Sequence, residues 1–120
     1  ITTLMMIDSL NMTLTDRMLI LERCRQAAEN HIVITHGTDT MIVTAELLAT
    51  ELPSHVQRTI VLTGAMVPYA FGSSDGLFNL GSALSFVQVL SPGVYVAMNG
   101  RCFSWDNVRK DRETGVFESL

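Results

Sequence analysis

The stretch HIVITHGTDTMIVTAELLATELPSHVQRTIVLT, from His31 to Thr63, decides the fold. It opens on a β-branched run, His31 to Thr35, which is too short for a helix, and Gly37 then predicts a turn. Asp39 to Leu52 has helical spacing, with an acid in the first turn, where the helix dipole favours negative charge. Thr59 to Thr63 is uncharged and apolar on both faces, as expected of a strand in a parallel sheet covered by helices on both sides. The stretch therefore predicts a strand, a helix and a second, parallel strand.

The flanking segments continue this alternation. Thr2 to Ile7 is apolar and predicts a short strand, and Thr13 caps a predicted helix of about four turns. Leu77 to Leu90 predicts a helix, and Val94 to Met98 predicts a further strand. We therefore expect one α/β domain over 1–120, a three-layer α/β/α sandwich with a mainly parallel sheet of the Rossmann or flavodoxin type.

Composition excludes two kinds of partner. The net charge is −4, and the seven arginines and single lysine are scattered except for Arg109, Lys110 and Arg112, so the sequence has no basic stripe for nucleic acid. The stretch from Gly76 to Gly100 is uncharged, but polar residues and Pro92 divide it into a helix and a strand. We expect neither nucleic-acid binding nor membrane insertion.

The two cysteines indicate a compartment. Cys24 and Cys102 lie 78 positions apart, which is neither a disulfide framework nor a paired metal motif. A reducing environment is the simpler interpretation, and we expect a cytoplasmic protein.

Polar residues gather where the predicted strands end, which is where ligands bind in open parallel sheets. The four groups are Asp8-Ser9, His36 to Thr40, Gly64-Ala65-Met66 and Asn99-Gly100-Arg101. The second group places two hydroxyls, an imidazole, a carboxylate and a glycine in one strand-to-helix connection, where free backbone N–H groups also attract anions. It is the first candidate for chemistry.

Two interpretations of this connection remain open from the residues alone. In one, Thr38 and Asp39 only cap the helix and His36 only satisfies its own hydrogen bonds. In the other, a threonine is activated by a nearby base. A serine nucleophile elbow and a glycine-rich phosphate motif are absent from the sequence, and its three histidines lack metal-ligand spacing, so we expect neither a metal nor a cofactor. The histidines are His31, His36 and His55.

Five segments resemble the bacterial-type L-asparaginases in the same order along the chain. HGTDTM, at His36 to Met41 after the strand IVIT, is similar to the family's second signature, and DSLNMT, at Asp8 to Thr13, is similar to its DSxDMT segment. TIVLTGAMVP at Thr59 to Pro68, SSDGLFNL at Ser73 to Leu80 and GVYVAMNGR at Gly93 to Arg101 resemble its central strand, next helix start and following strand. The resemblance covers nearly the whole chain.

The resemblance implies a catalytic triad of Thr38, Asp39 and Lys110. In such a triad a lysine kept neutral by burial and by neighbouring positive charge, here Arg109 and Arg112, accepts the threonine proton, and the carboxylate orients the group. The alternative for Lys110 is a solvated member of a C-terminal charge cluster.

The resemblance also implies a set of substrate contacts. Ser9 would hold the substrate α-carboxylate and Asp39 its α-ammonium, while Gly37 lets the backbone approach and N–H groups around Thr38 polarise the amide carbonyl. Ala65 would lie near the scissile amide, although a packing role is equally open.

The implied activity is hydrolysis of L-asparagine, or a similar small ω-amide, to the acid and ammonia by threonine-dependent acyl transfer. One alternative is a catalytically weak or inactive amino-acid-binding module. Another is one half of an amidotransferase-like assembly.

The sequence departs from the family pattern in three places. The TGGTI segment with the primary nucleophile has no counterpart, so we expect a strand and a TGGT-type loop upstream of Ile1. The ending VFESL is expected to be the native terminus, as in small single-domain asparaginase-like proteins, with the pocket closed by a homodimer or higher oligomer. Leu10 stands where secreted members have a glutamine that contacts the ammonium, so asparagine recognition is expected to be weaker or the substrate different.

Overall fold

The computed structural model describes residues 1–53, 57–67 and 72–120. His55 and Pro68, which entered the sequence predictions, lie outside these ranges. Within these ranges, a short 3-10 helix over Ser9–Asn11 is followed by the α-helices α1 at Leu14–Gln26, α2 at Met41–Glu51 and α3 at Gly76–Val89. None of the helices in the described ranges has both the length and the apolar character needed to cross a membrane.

In the part of the chain that the structure describes, the main sheet has four strands, β1 at His31–Thr35, β2 at Thr59–Thr63, β3 at Gly93–Met98 and β4 at Arg101–Ser104. They lie in the order β1-β2-β3-β4, with the first three parallel and β4 antiparallel to β3. The register pairs Thr35 with Thr63 and Leu62 with Val96, so the parallel strands end at the same edge. The predicted mainly parallel α/β fold is confirmed.

Helices cover both faces of the sheet because β2 is apolar on both sides. Ile60 and Leu62 belong to a core cluster shared with α1 and α2. Val61, between them, points to the other face and packs with Ala83 and Val87 of α3. Successive strand residues face opposite sides of a sheet, so one uncharged strand fills both cores. The predicted three-layer arrangement follows.

The helix starts differ in how well the sequence predicted them. Thr13 and Asp16 form a capping box at α1, as predicted: Thr13 Oγ1 accepts from the Asp16 N–H and Asp16 Oδ2 accepts from the Thr13 N–H, at 3.3 and 2.9 Å. The predicted acid in the first turn of the next helix is wrong, because α2 begins at Met41 and Asp39 precedes it. The Asp39 carboxylate instead binds Lys110.

The predicted strand at Thr2 to Ile7 is also wrong. These residues adopt no regular structure and are mostly exposed, although Met5 packs against the core. Apolar character alone does not make a strand, because the backbone also needs a neighbouring strand to hydrogen-bond. None of the described strands pairs with this segment.

A hairpin that the sequence analysis missed joins β3 to β4. Asn99 and Gly100 have φ of 57° and 76°, the left-handed conformations that a two-residue hairpin turn requires. An Asn-Gly dipeptide that follows an apolar strand is a local signal that predicts such a turn. Arg101, grouped above with the strand ends, therefore begins β4, and its guanidinium lies 4.9 Å from the centre of the Phe103 ring.

A second missed hairpin carries Lys110. Strands β5 (Arg109–Lys110) and β6 (Phe117–Glu118) pair antiparallel, apart from the main sheet. Val108 and Phe117 are buried in the larger core cluster and fix the hairpin against the domain. Asp111 closes its turn by accepting from the N–H groups of Glu113 and Thr114. The hairpin brings Lys110 to the edge where the parallel strands end.

Candidate active site

The strand ends approach one another closely at this edge. A Cβ on Gly64, directly after β2, would overlap the carbonyl oxygen of His36, directly after β1. The His36 N–H donates to the Thr63 carbonyl at 2.8 Å, which continues the ladder past the strand end. Only glycine allows the two loops to come this near.

Thr38, Asp39 and Lys110 meet in the connection between β1 and α2. Lys110 Nζ lies 3.1 Å from Thr38 Oγ1 and 2.9 Å from Asp39 Oδ1. The Lys110 side chain is only 10% exposed, which rules out the alternative of a solvated tail charge. Thr38 and Asp39 do not cap α2, because Thr40 is its N-cap and makes no side-chain cap bond.

The two arginines beside Lys110 have different partners. Arg112 reaches Asp39, with one guanidinium nitrogen 3.6 Å from Oδ1 and the other donating to the Asp39 carbonyl at 3.2 Å. Arg109 instead forms a cross-strand pair with Glu118 at 2.7 Å. Arg112 therefore adds positive charge at the cluster, while the charge of Arg109 is compensated away from it.

Ser9 lies against the same connection. It is 2% exposed, its Oγ accepts from the Thr40 N–H at 3.3 Å, and its carbonyl accepts from Thr40 Oγ1 at 2.9 Å. A Cβ on Gly37 would lie 2.8 Å from both Cβ and Oγ of Ser9, so glycine is needed at that position. Leu10, the next residue after Ser9, is 67% exposed.

Ala65 lies in the loop after β2, beside the start of α3. A Cβ on Gly76 would be 3.4 Å from the Cβ of Ala65. Asp75 fixes this loop, since its carboxylate accepts from the N–H groups of Met66 and Val67 at 3.1 and 3.0 Å. Burial raises the pKa of the Asp75 carboxyl, but these bonds and one from Asn79 outweigh it and hold the pKa below its usual value.

Asn79, which is fully buried, connects two strand ends. Its Nδ2 donates to the Gly64 carbonyl at 2.8 Å and to Asp75 at 2.9 Å, and its Oδ1 accepts from the Asn99 N–H at 3.0 Å. Sequence reasoning did not single out Asn79 or Asp75 as site-forming residues. Their spacing of four on one helix face was the available signal.

His36 is satisfied by hydrogen bonds, as one of the two open interpretations predicts for it. It is 8% exposed, with Nδ1 2.7 Å from the Gly37 carbonyl and Nε2 2.8 Å from Thr44 Oγ1. Burial lowers the pKa of the imidazole, the bond to Gly37 opposes that effect, and the charge of Arg17 adds to it. No local sequence pattern indicates Arg17 or Thr44, because they lie on different helices.

The described residues contain no group of three or more histidine, cysteine, aspartate or glutamate side chains able to hold a metal ion. What the geometry offers is a threonine hydroxyl, an amine and a carboxylate in mutual contact. Such a cluster can pass a proton between oxygen and nitrogen and hold a small polar ligand.

Known proteins are similar to this chain in sequence and in fold. The chain is 37% identical over 91 residues to the L-asparaginase of Thermococcus kodakarensis and 40% identical over 89 residues to the glutaminase-asparaginase of Acinetobacter glutaminasificans, alignments that cover 74% and 72% of it. It spans only about a quarter of the length of these curated relatives, 27% and 26%.

The fold agrees with a solved structure, that of the thermostable L-asparaginase from Thermococcus kodakarensis. The TM-score is 0.86 at 33% identity, covering 95% of this chain and 36% of that one. The model of the family described as "Asparaginase, N-terminal" matches residues 1–119. The chain therefore belongs to the asparaginase family.

Proposed function

We propose that this chain forms part of the active site of an asparaginase-type enzyme that hydrolyses amides. The observation that carries the proposal is the position of Lys110 Nζ within hydrogen-bond distance of both Thr38 Oγ1 and Asp39 Oδ1. The substrate class is a small ω-amide such as L-asparagine, which is converted to the acid and ammonia.

In the proposed reaction the hydroxyl of a threonine outside these 120 residues forms an ester with the acyl group as the amide C–N bond breaks, and water then cleaves the ester to the acid and restores the hydroxyl. The proton of the attacking hydroxyl passes to Thr38 Oγ1 as Thr38 gives its own proton to Lys110 Nζ, and Asp39 holds that nitrogen in place through Oδ1. Lys110 returns the proton to the departing amide nitrogen, which leaves as ammonia. Backbone N–H groups around Thr38 polarise the carbonyl.

Ser9 and Gly37 form the proposed binding wall for the substrate. We assign the α-carboxylate to Ser9 and the α-ammonium to Asp39, with Gly37 leaving room for the ligand. Ala65 faces the amide from the loop after β2. Because Leu10 is exposed and apolar, it offers no hydrogen bond to the ammonium.

A second threonine, the acyl acceptor of the family pattern, is proposed to come from chain outside these 120 residues, together with a strand. This proposal is supported by the open position of β1, which is an edge strand of the sheet in the described residues. The longer relatives support it as well. Mass spectrometry of the protein from its natural source checks whether such a segment precedes Ile1.

The test of the activity is ammonia release from L-asparagine by the full-length protein. We expect Thr38→Val and Lys110→Met each to lower kcat at least 100-fold, and Lys110→Arg not to restore it, because a guanidinium stays protonated. Arg109→Met is the matched control for Lys110→Met, since Arg109 is the adjacent residue and pairs at the surface. Thr50→Val is the matched control for Thr38→Val, because Thr50 is a threonine on the exposed side of α2.

Parental rates in Thr38→Val would overturn the assignment. Calorimetric binding of asparagine or aspartate without any ammonia release would favour the amino-acid-binding module instead. An assay that needs a second, different subunit for activity would favour the amidotransferase-like assembly.

We also propose that the chain self-associates as a homodimer or higher oligomer through α3. This helix carries no charge, and Leu77, Phe78 and Val89 are 67%, 62% and 80% exposed. Sedimentation velocity at micromolar concentration should show an oligomer that Phe78→Lys dissociates. Leu19→Lys, at an exposed apolar position on α1, is the control, and a purely monomeric parent contradicts the proposal.

A cytoplasmic location is proposed from the cysteines. Cys24 and Cys102 are both free. Burial raises the pKa of the Cys24 thiol to about 11, so little of it is present as the reactive thiolate. Fractionation of the source cells tests the location directly.

A further inference from the structure

Arg17 of α1 is a buried cation that the proposed chemistry does not use. It is 8% exposed, and no salt bridge to it is formed within the residues that the structure describes. Its three guanidinium nitrogens each donate to a neutral oxygen: Nε to Thr44 Oγ1 at 3.0 Å, and the two terminal nitrogens to the Met12 carbonyl at 3.2 Å and to Thr40 Oγ1 at 2.7 Å. Burying a charge without a carboxylate is unfavourable, so these acceptors must hold it.

One branch of this network leads to the substrate-binding wall. Thr40 Oγ1 accepts from Arg17, so its own proton is free to donate to the Ser9 carbonyl, 2.9 Å away. The Thr40 N–H donates to Ser9 Oγ at 3.3 Å. Arg17 therefore sets the direction of the hydroxyl that holds Ser9.

The other branch leads to the loop that carries Thr38. Thr44 Oγ1 accepts from Arg17 Nε and lies 2.8 Å from His36 Nε2, while His36 Nδ1 lies 2.7 Å from the Gly37 carbonyl. A carbonyl only accepts, so Nδ1 carries the proton of the neutral ring, and Nε2 accepts from Thr44. The bonds thus run in one direction, from the guanidinium to the backbone next to Thr38.

We propose that Arg17 is a positioning residue with two effects. Through Thr40 it fixes Ser9 at the start of the 3-10 helix, and through Thr44 and His36 it fixes the loop that carries Thr38. The inference rests on the proposed function, because Ser9 and Thr38 matter only if the site binds and cleaves an amide. A planar guanidinium is needed, since a lysine ammonium cannot donate from three fixed directions to three separate oxygens.

The two branches predict different kinetic defects in the full-length protein. Thr40→Val releases Ser9 and should raise KM for L-asparagine about tenfold with kcat within about threefold. Thr44→Val frees His36 and the Thr38 loop and should lower kcat about tenfold with KM within about threefold. Each factor corresponds to the loss of roughly one hydrogen bond. Thr40→Ser and Thr44→Ser keep the hydroxyl and should restore the parental constants to within about twofold.

Arg17→Lys and Arg17→Ala should show both defects together, and added guanidinium should recover part of the kcat of Arg17→Ala. Arg25→Ala is the matched control, because Arg25 lies on the same helix but at the surface. Parental kcat and KM in Arg17→Lys, or in both valine variants, would overturn the inference. If the Arg17 variants do not fold, the comparison of the valine with the serine variant at Thr40 and at Thr44 still tests the inference.

Nitrogen NMR of the His36 ring separates this inference from the proposed function. In the parent the neutral ring should carry its proton on Nδ1, which faces the Gly37 carbonyl in the variants as well. Thr44→Val should shift the Nε2 resonance, because that nitrogen loses its hydrogen-bond donor, and Arg17→Ala should raise the imidazole pKa, because a nearby positive charge is removed. If the parent releases no ammonia but the Nε2 resonance and the imidazole pKa respond in this way, the proposed function fails and the positioning network stands. An unchanged Nε2 resonance in Thr44→Val together with an unchanged imidazole pKa in Arg17→Ala would refute the network, whatever the activity.

Discussion

Lys110 Nζ lies 2.9 Å from Asp39 Oδ1, although 71 positions separate the two residues in the sequence. The contact depends on a short hairpin whose Phe117 is 1% exposed and whose turn is closed by Asp111. Close approach to a carboxylate explains how an amine with a 10% exposed side chain is tolerated at this edge of the sheet. The pair also brings Lys110 to the hydroxyl of Thr38.

Asp39→Asn tests the carboxylate in this pair. The amide keeps the size of the side chain but loses the charge that holds Lys110 and Arg112, so we expect kcat for ammonia release to fall at least 100-fold. Asp106→Asn is the control, since Asp106 is exposed and its carboxylate accepts from the nearby Ser104 hydroxyl, away from the site. Equal loss of activity in both variants would show that the effect is not specific to the site.

Gly37→Ala tests the packing of Ser9 against the connection between β1 and α2. The added Cβ would lie 2.8 Å from Ser9 Cβ and Oγ, so Ser9 must move. We expect a loss of about 1–3 kcal/mol in the free energy of unfolding, measured with urea, and a raised KM. Gly81→Ala is the control: its Cβ meets open space on α3, and helix propensity should make that variant up to about 1 kcal/mol more stable. Equal stability of the two variants would contradict the close approach.

The buried His36 predicts how stability depends on pH. Its pKa is lowered in the folded protein from an ordinary value of 6.5, so below pH 6.5 the unfolded chain binds more protons than the folded one. The contribution of His36 to the free energy of unfolding should therefore be complete above pH 6.5. It should decrease as the pH falls below 6.5, by at most about 1.4 kcal/mol per pH unit. Urea unfolding between pH 7.5 and 5 measures the slope. The dependence of the free energy of unfolding on pH should become weaker in His36→Gln. His31→Gln, at an exposed position on β1, is the control.

Asp75→Asn tests the carboxylate that fixes the loop after β2. The amide nitrogen cannot accept, so at least one bond from Met66 or Val67 is lost, and we expect about 1–2 kcal/mol lower stability above pH 4. The pKa of Asp75 is held below 3.8 in the folded state, so its contribution is present above that pH and is lost as the pH falls through the folded value. Amide hydrogen exchange at Met66 and Val67 should accelerate in the variant. Unchanged exchange would refute the role of Asp75.

Sequence patterns predicted the elements that local chemistry decides. The capping box at Thr13 and the uncharged strand at Thr59–Thr63 formed as expected, because a cap and a two-sided apolar strand each have a distinct local pattern. The segment Thr2 to Ile7 did not, since a strand also needs a neighbour. The hairpin at Asn99 and Gly100 also has a local pattern, because the Asn-Gly dipeptide favours a two-residue turn.

The sequence by itself determined the alternation of strands and helices, the family, and a short list of polar residues at the strand ends. These follow from periodicity, turn residues and motifs, all of which are local along the chain. Only the tertiary structure decided that Lys110 meets Thr38 and Asp39, that Asp39 lies outside α2, and that Arg17 connects to His36 and Ser9. Those contacts join distant segments, and they depend on how buried side chains on separate helices, strands and hairpins pack together, which no local pattern encodes.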